Sequence, residues 1–350
     1  LDPLSRAMKE YTVDLIGHAH IDMNWLWLWP ETVDVCKNTF STMINIMNDH
    51  PDFRFSQSQA SCYIAMEELF PDLFAEMQRR VRSGQWEITG STWTEGDMNM
   101  ASGESIVRQI LYARQYFLRK FGVWTETCWE PDTFGHAWTI PQILAKSGLK
   151  YYYFMRCPKD ERIFWWQAPD GSRVLAYNRG TYNGKVDDSA MDAAFEMNQR
   201  YGTKRGAIIY GVGDHGGGPT REDIAKALEL QKRVVYPQVN FSTSKEFYEG
   251  LLKEKKDWPV INTELNTIFE GCYTTHGDIK KMNRVMENLL PTAEAFSALA
   301  IPYGYRYPTD SFLTAWRNTC FNQFHDILDG SAIHGSYDYS KELFDKAYDL

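Results

Sequence analysis

The sequence predicts an α/β fold on a mainly parallel sheet, either closed as a barrel or doubly wound, followed by a helical region. From the start to about Leu252, short apolar strand-like runs alternate with amphipathic helical stretches, the signature of repeated β-α units. After Tyr273 the strand-like runs cease and long helical periodicities take over. A chain of 350 residues, 43% hydrophobic and 15% aromatic, can bury such a core and add a smaller second unit.

Val13 to His18 reads as the first strand and Thr32 to Asn48 as the first helix. Phe53 to Gln59 alternates as a strand does, and Ala65 to Val81 has helical spacing that ends near Gly84. Trp86 to Gly90 gives a third strand and Glu104 to Phe121 another helix. Further strands are expected at Thr127 to Glu130, Lys150 to Phe154, Arg173 to Tyr177, Ala207 to Val212 and Val239 to Ser242. In the second region, Ile279 to Ala300 and Ser311 to Leu328 read as helices, with Pro302 and Pro308 marking the turn between them. A third helix is expected from near Tyr339 to Leu350. Its uncapped end suggests a piece of a longer polypeptide.

Composition narrows the function. The net charge of −9, with no long Lys/Arg run, argues against a nucleic-acid surface. No apolar run approaches membrane-spanning length, and Leu1 begins no basic-then-apolar signal pattern, so a cytoplasmic location without membrane partners is expected. Homo-oligomerisation is left open. The six cysteines are scattered without a Cys-x-x-Cys pair, so buried free thiols are expected rather than a disulfide framework or a thiolate zinc site. The 12 Trp, 20 Tyr and 19 Phe are plentiful even for a large core, and although most are expected to pack the interior, planar rings offer faces on which sugars stack.

Four segments carry chemistry. Gly17-His18-Ala19-His20-Ile21-Asp22-Met23-Asn24-Trp25 follows the first strand, where residues two apart share a face, so His20 and Asp22 can present an imidazole and a carboxylate to one point. Trp129-Glu130-Pro131-Asp132-Thr133-Phe134-Gly135-His136 is a second strand end, with Pro131 holding Glu130 extended and Asp132 at the sheet's rim. Loops after strand C-termini form the active site in parallel α/β folds. The third segment, Gly211-Val212-Gly213-Asp214-His215 to Gly216-Gly217-Gly218-Pro219, lacks the Gly-Lys-Ser/Thr ending of a phosphate loop. Its Asp214 would repel phosphate but suits proton transfer. Thr220 then caps a helix with Asp223. The fourth, Asn322-Gln323-Phe324-His325-Asp326, lies on a helix where adjacent His325 and Asp326 are expected to face different sides. Taken singly, a buried histidine or a turn aspartate is more often structural than catalytic.

Together these segments resemble the glycoside hydrolase family 38 α-mannosidases. The likeness extends through Phe269-Glu270-Gly271-Cys272-Tyr273-Thr274-Thr275 and Lys280, Lys281, Asn283 and Arg284, and so covers nearly the whole chain. It implies a seven-stranded β/α barrel domain over residues 1–272 and an incomplete three-helix bundle domain over 273–350. It also implies large C-terminal β domains beyond this chain, expected to be needed for full activity. Carried over residue by residue, it implies one Zn2+, or another divalent ion such as Co2+, held by His20, Asp22, Asp132 and His325. Asp132 would be nucleophile as well as ligand, Asp214 the acid/base, and Trp25, Phe134, Arg156 and Asp326 the substrate-binding residues, with His18 outside the ligand set.

The implied reaction is retaining hydrolysis of terminal α-linked mannose from oligosaccharides or glycans. That chemistry needs a carboxylate below the anomeric carbon and a proton donor beside the leaving oxygen. Met23-Asn24 stands where Golgi and lysosomal relatives tend to carry Pro-Gly, which points to a bacterial or cytosolic-type branch. Two other readings compete: a metal-dependent carbohydrate deacetylase, which would not need Asp214 and would release acetate, and a sugar-binding module without turnover.

Overall fold

In a computed structural model of the protein, residues 2–213, 215–255 and 257–350 are described. The strands are β1 (Thr12–His18), β2 (Phe55–Gln57), β3 (Trp86–Ile88), β4 (Thr127–Glu130), β5 (Tyr151–Phe154), β6 (Ile163–Gln167), β7 (Arg173–Tyr177), β8 (Arg205–Tyr210), β9 (Gln238–Phe241) and β10 (Val260–Ile261). Every residue of β1 is buried, as a parallel strand covered on both faces requires. β8 runs parallel along one edge, from Thr12↔Arg205 to Gly17↔Tyr210. The other edge is shared: β9 pairs with Thr12 to Leu15, and β2 with Gly17 and His18.

The ladders form two five-stranded sheets, β3-β2-β1-β8 with β9 on β1, and β10-β6-β7-β5-β4. Side chains stitch the sheets together at both gaps. Ser91 Oγ donates to the Thr127 carbonyl over 2.6 Å, and the Tyr177 hydroxyl reaches the Ala207 carbonyl over 3.5 Å. The expected mixed α/β class holds, and the pairings are parallel except for the β6–β7 hairpin. That hairpin turns at Asp170-Gly171, where the Ser172 N–H donates to Asp170 and Gly171 takes φ 84°.

Two helices differ from expectation for identifiable reasons. The stretch expected as one helix from Ala65 to Val81 is two, Ala60–Leu69 and Pro71–Ser83, because Pro71 has no N–H with which to continue the first. The helix expected to reach Leu328 stops at Asn322, and a short one, His325–Leu328, follows. Phe324 between them is extended and makes an isolated antiparallel bridge to Gly96. The Thr220–Asp223 capping box forms as expected.

Helices Gly277–Ala300, Thr309–Asn322 and His334–Asp349 pack on one another. They also share a core with the strands: Leu15, Ile21 and Met23 belong to the same buried cluster as Met286, Trp316 and Phe324. Cys36, Cys62, Cys128, Cys157 and Cys320 are buried free thiols, and Cys272 is half-buried. Among the described residues no helix is long and apolar enough to cross a membrane.

Candidate active site and metal centre

The polar residues gather beyond the C-terminal ends of β1, β3, β4 and β5. Just past β1, His20 Nε2 lies 2.8 Å from Asp22 Oδ1. The loop after β4 brings Asp132 Oδ2 to 4.0 Å from His20 Nε2. Gly135 lets this loop turn at φ 136°, where a Cβ would stand 2.2 Å from Asn266 Oδ1. His325 comes from the helical region, with its Nε2 3.7 Å from Asp22 Oδ1 and 3.5 Å from Asp132 Oδ2. The Gly96–Phe324 bridge delivers it: the Asp97 N–H donates to the Gln323 carbonyl and the His325 N–H to the Glu95 carbonyl.

These groups suit a divalent ion. Ligand atoms of His20, Asp22 and His325 all lie within 4.8 Å of one another. Tetrahedral zinc with bonds near 2.0–2.2 Å needs ligand–ligand separations of about 3.3–3.6 Å, and the observed 2.8–4.0 Å brackets that range. His20 Nε2, His325 Nε2 and Asp22 Oδ1 are buried and have no well-formed hydrogen bond among the described residues, which is costly unless something satisfies them. Two imidazoles and a carboxylate form a donor set that zinc and similar divalent metals accept; Asp132 lies against both histidines but outside that group of three.

Charge inside the site is set by neighbours as much as by burial. Burial opposes the His20 imidazolium, but the carboxylates of Asp22 and Glu95 outweigh it and hold its pKa well above the usual value. The same contest, won mainly by Asp132 and Asp326, puts His325 at about 10. Asp132 is buried, yet the close approach and charge of His325, with the charges of His20 and Arg156, hold its carboxyl below the usual range. Arg156 contacts one oxygen of Asp132 twice, at 2.7 Å through Nε and 2.5 Å through Nη2. Asp326 is raised to about 7 by burial, with His325 opposing and Asp22 adding to the rise.

Above these groups opens a cavity of about 310 Å3, at the lower end of small-molecule pockets. Trp25, Phe134, Tyr182 and Phe269 supply ring walls, and Asp22, Asp132, Arg156 and Asp326 also line it. His325 and Asp326 therefore converge instead of facing different sides. Asp326 Oδ2 lies 3.5 Å from His325 Nε2, because both sit at the entry of a one-turn helix rather than within a long one. A larger cleft of about 500 Å3 lies beside Asp14 and Arg205. Most of its charges are paired with one another: Arg205 with Asp14 and Glu254, and Arg54 with Glu246.

His18 stands apart from the ligand group. Its Nδ1 donates to the Ser56 carbonyl over 2.9 Å and its Nε2 accepts from Trp129 over 3.2 Å, while burial pushes its pKa down to about 3. Asp214 lies outside the described residues. Its neighbour His215 is exposed, pairs with Glu31 at 2.9 Å and packs on Trp27.

Three residues in or behind the site, Gln59, Glu95 and Tyr182, escaped the sequence reading, and Phe269 entered it only as part of the segment leading into the helical region. Glu95 follows β3, and the strand-end rule that singled out Asp132 could have found it. Glu95 is wholly buried. Phe269 stacks edge-on against Phe134 and lies 5.1 Å from the Arg156 guanidinium. Behind Glu95, burial and that same carboxylate push Glu130 well above the usual range.

Comparison with known proteins now bears on this site. The sequence model of the glycosyl hydrolases family 38 N-terminal domain matches residues 10–264, and that of the alpha mannosidase middle domain matches 267–350. The chain belongs to glycoside hydrolase family 38. Within family 38 it is 32% identical over 341 residues to mouse alpha-mannosidase 2C1, covering 93% of this chain and 32% of that protein. It is also 32% identical over 333 residues to Dictyostelium discoideum alpha-mannosidase G, covering 92% and 31%. The chain thus spans about a third of the length of these curated relatives. An alpha-mannosidase structure from Enterococcus faecalis superposes with a TM-score of 0.85 at 20% identity, over 97% of this chain and 41% of that one. At that identity the likeness concerns the fold.

Proposed function

We propose that the chain carries the catalytic site of a retaining, zinc-dependent α-mannosidase acting on terminal α-linked mannose. The observation that carries this reading is the convergence of His20, Asp22, Asp132 and His325 on the floor of an aromatic-walled cavity, with Asp132 gripped by Arg156. The printed names of the family 38 relatives support the substrate class.

In this reading His20, Asp22, Asp132 and His325 hold the ion. When bound, it supplies a Lewis-acidic anchor for the vicinal hydroxyls that distinguish mannose from glucose. Trp25 and Phe134 seat the sugar ring, and Asp326, poised near neutrality, hydrogen-bonds a hydroxyl. Asp132, kept ionised, attacks the anomeric carbon and forms a glycosyl ester. Asp214 protonates the departing oxygen and then takes a proton from the water that releases the sugar. Its part rests on the family resemblance and on its glycine-rich loop after β8.

The two sheets are proposed as arcs of one seven-stranded barrel, with β1, β2, β3, β4, β5, β7 and β8 as its staves. The cross-links from Ser91 to Thr127 and from Tyr177 to Ala207 support this. A division into residues 1–272 and 273–350 is supported by matches that end at 264 and begin at 267.

The test is hydrolysis of an aryl α-mannoside by the full-length protein, followed by NMR from the first turnovers. The expected product is α-mannose, with close to one equivalent of zinc in the protein and none in His20→Ala or His325→Ala. Asp132→Asn should remove turnover of every substrate, whereas Asp214→Asn should spare substrates with good leaving groups. Initial β-mannose, or full metal content in both histidine variants, would overturn the reading.

A further inference from the structure

We infer that Glu95 is the positioning residue of the metal centre, orienting three of its four ligands through three different atoms. Its Oε1 accepts the backbone N–H of Asp132, fixing the start of the loop that carries that carboxylate. Its Oε2 lies 3.3 Å from His20 Nδ1, and neither atom has a better-formed hydrogen bond among the described residues. Its carbonyl accepts from both the backbone N–H of His325, at 3.1 Å, and the ring Nδ1 of His325, at 2.9 Å. With Nδ1 of each histidine directed at Glu95, each Nε2 faces the carboxylates of Asp22 and Asp132, the orientation that metal ligation requires.

Glu95 is itself fixed. Gln59 accepts the Glu95 N–H at 2.8 Å and donates at 2.8 Å to the Ile21 carbonyl, between ligands His20 and Asp22. To do so it adopts φ 62°, ψ 105°, a region that side-chain-bearing residues rarely occupy, and such strain persists where surrounding structure demands it. The Gly96–Phe324 bridge locks the next residue to the helical region. One buried segment therefore ties the loops after β1 and β4 to a residue 230 positions away.

The chemistry requires a carboxylate. Asp132 N–H and His20 Nδ1–H are two donors, and only a carboxylate offers two acceptor oxygens. Glutamine of the same shape has one acceptor, and its amide must face one of the two donors.

This inference rests on the metal reading, so the test separates them. Zinc affinity of the metal-free full-length protein is measured against a competing chelator, with the Co2+ absorption spectrum as a second readout. Glu95→Gln is expected to bind zinc 10–100-fold more weakly, as for other groups that orient metal ligands, and to show an altered Co2+ spectrum. Glu95→Asp keeps both oxygens on a shorter stem and should recover part of the loss. It carries the comparison if the glutamine variant does not fold. Wild-type protein that binds no metal would overturn the metal reading and this inference together. Wild-type binding with affinity and spectrum unchanged in the variants would overturn the role of Glu95 alone.

Discussion

Loading the metal-free protein with zinc should release protons, and the site fixes roughly how many. With His325 at about 10 and His20 held well above its usual value, both imidazoles are protonated at pH 7 in the metal-free protein. Each must lose its Nε2 proton to become a ligand. Asp326, at about 7, is about half protonated at that pH and should ionise further beside a cation. Release is therefore expected near two protons per zinc, with a further fraction from Asp326. Because protons compete for the ligand atoms, affinity falls as pH falls. Two protons weaken binding about 100-fold per pH unit, or about 2.7 kcal/mol. The metal-free fold behaves in the opposite sense with respect to these two groups. A raised histidine pKa gives stability that is full below the unfolded value and is lost as pH rises through the folded one. Calorimetric zinc titrations in buffers of different ionisation enthalpy count the protons directly. Release near zero, with pH-independent affinity, would refute the protonated state of these two imidazoles in the metal-free protein.

Two further substitutions probe the cavity. Arg156 makes two charge-assisted contacts to one Asp132 oxygen, each worth about 1.5–3 kcal/mol. Arg156→Met should therefore lower kcat/KM at least tenfold on aryl mannosides, and Arg156→Lys, a point charge without the planar fork, should recover little of it. Trp25 supplies one of the ring walls of the cavity. Trp25→Ala should raise KM several-fold, in line with about 0.5–1.5 kcal/mol for a stacking contact, with kcat nearly unchanged. A fall in kcat alone would move Trp25 from binding to chemistry.

What could be read from the sequence was the local part of the site. His20 and Asp22 declare themselves because an extended chain after a strand puts alternate residues on one face, and Asp132 because a proline–glycine turn places it at a sheet rim. His325 does not announce itself. Its apolar surroundings continue the helical period through Phe324, and the break there exists because Phe324 pairs with Gly96, far away in sequence. Glu95 was overlooked although it follows a strand end, since Thr94-Glu95-Gly96-Asp97 reads as an ordinary polar run until three other site residues are seen to lean on it. The strand Ile163–Gln167 was missed because it enters the sheet antiparallel, through a hairpin of its own. Ala65 to Val81 was misread because apolar spacing outweighed Pro71, although a proline there was sufficient warning.

The buried charges set what the proposed ion would exchange for on binding. Asp22, Asp132, Glu95 and Asp326 are carboxyl groups that are at most a few per cent exposed, with Arg156 as the permanent cation beside them. If both histidines were neutral and no ion were bound, the carboxylates would face one another in a poorly solvated interior, which is strongly unfavourable. Two protons relieve this, one on each imidazole, and so does a single divalent ion, which carries the same charge. The metal-free and loaded states are thus close to isoelectric inside the cavity, and the ion exchanges for protons with little other electrostatic rearrangement. The difference lies in direction. His325 lies against Asp132 Oδ2 and Arg156 against Oδ1; under the proposed function Oδ2 would turn to the ion, and Oδ1, held by Arg156, would be the oxygen left for the sugar. Buried hydrogen bonds of Glu95 and Gln59 hold the two histidines and the Asp132 loop in that arrangement.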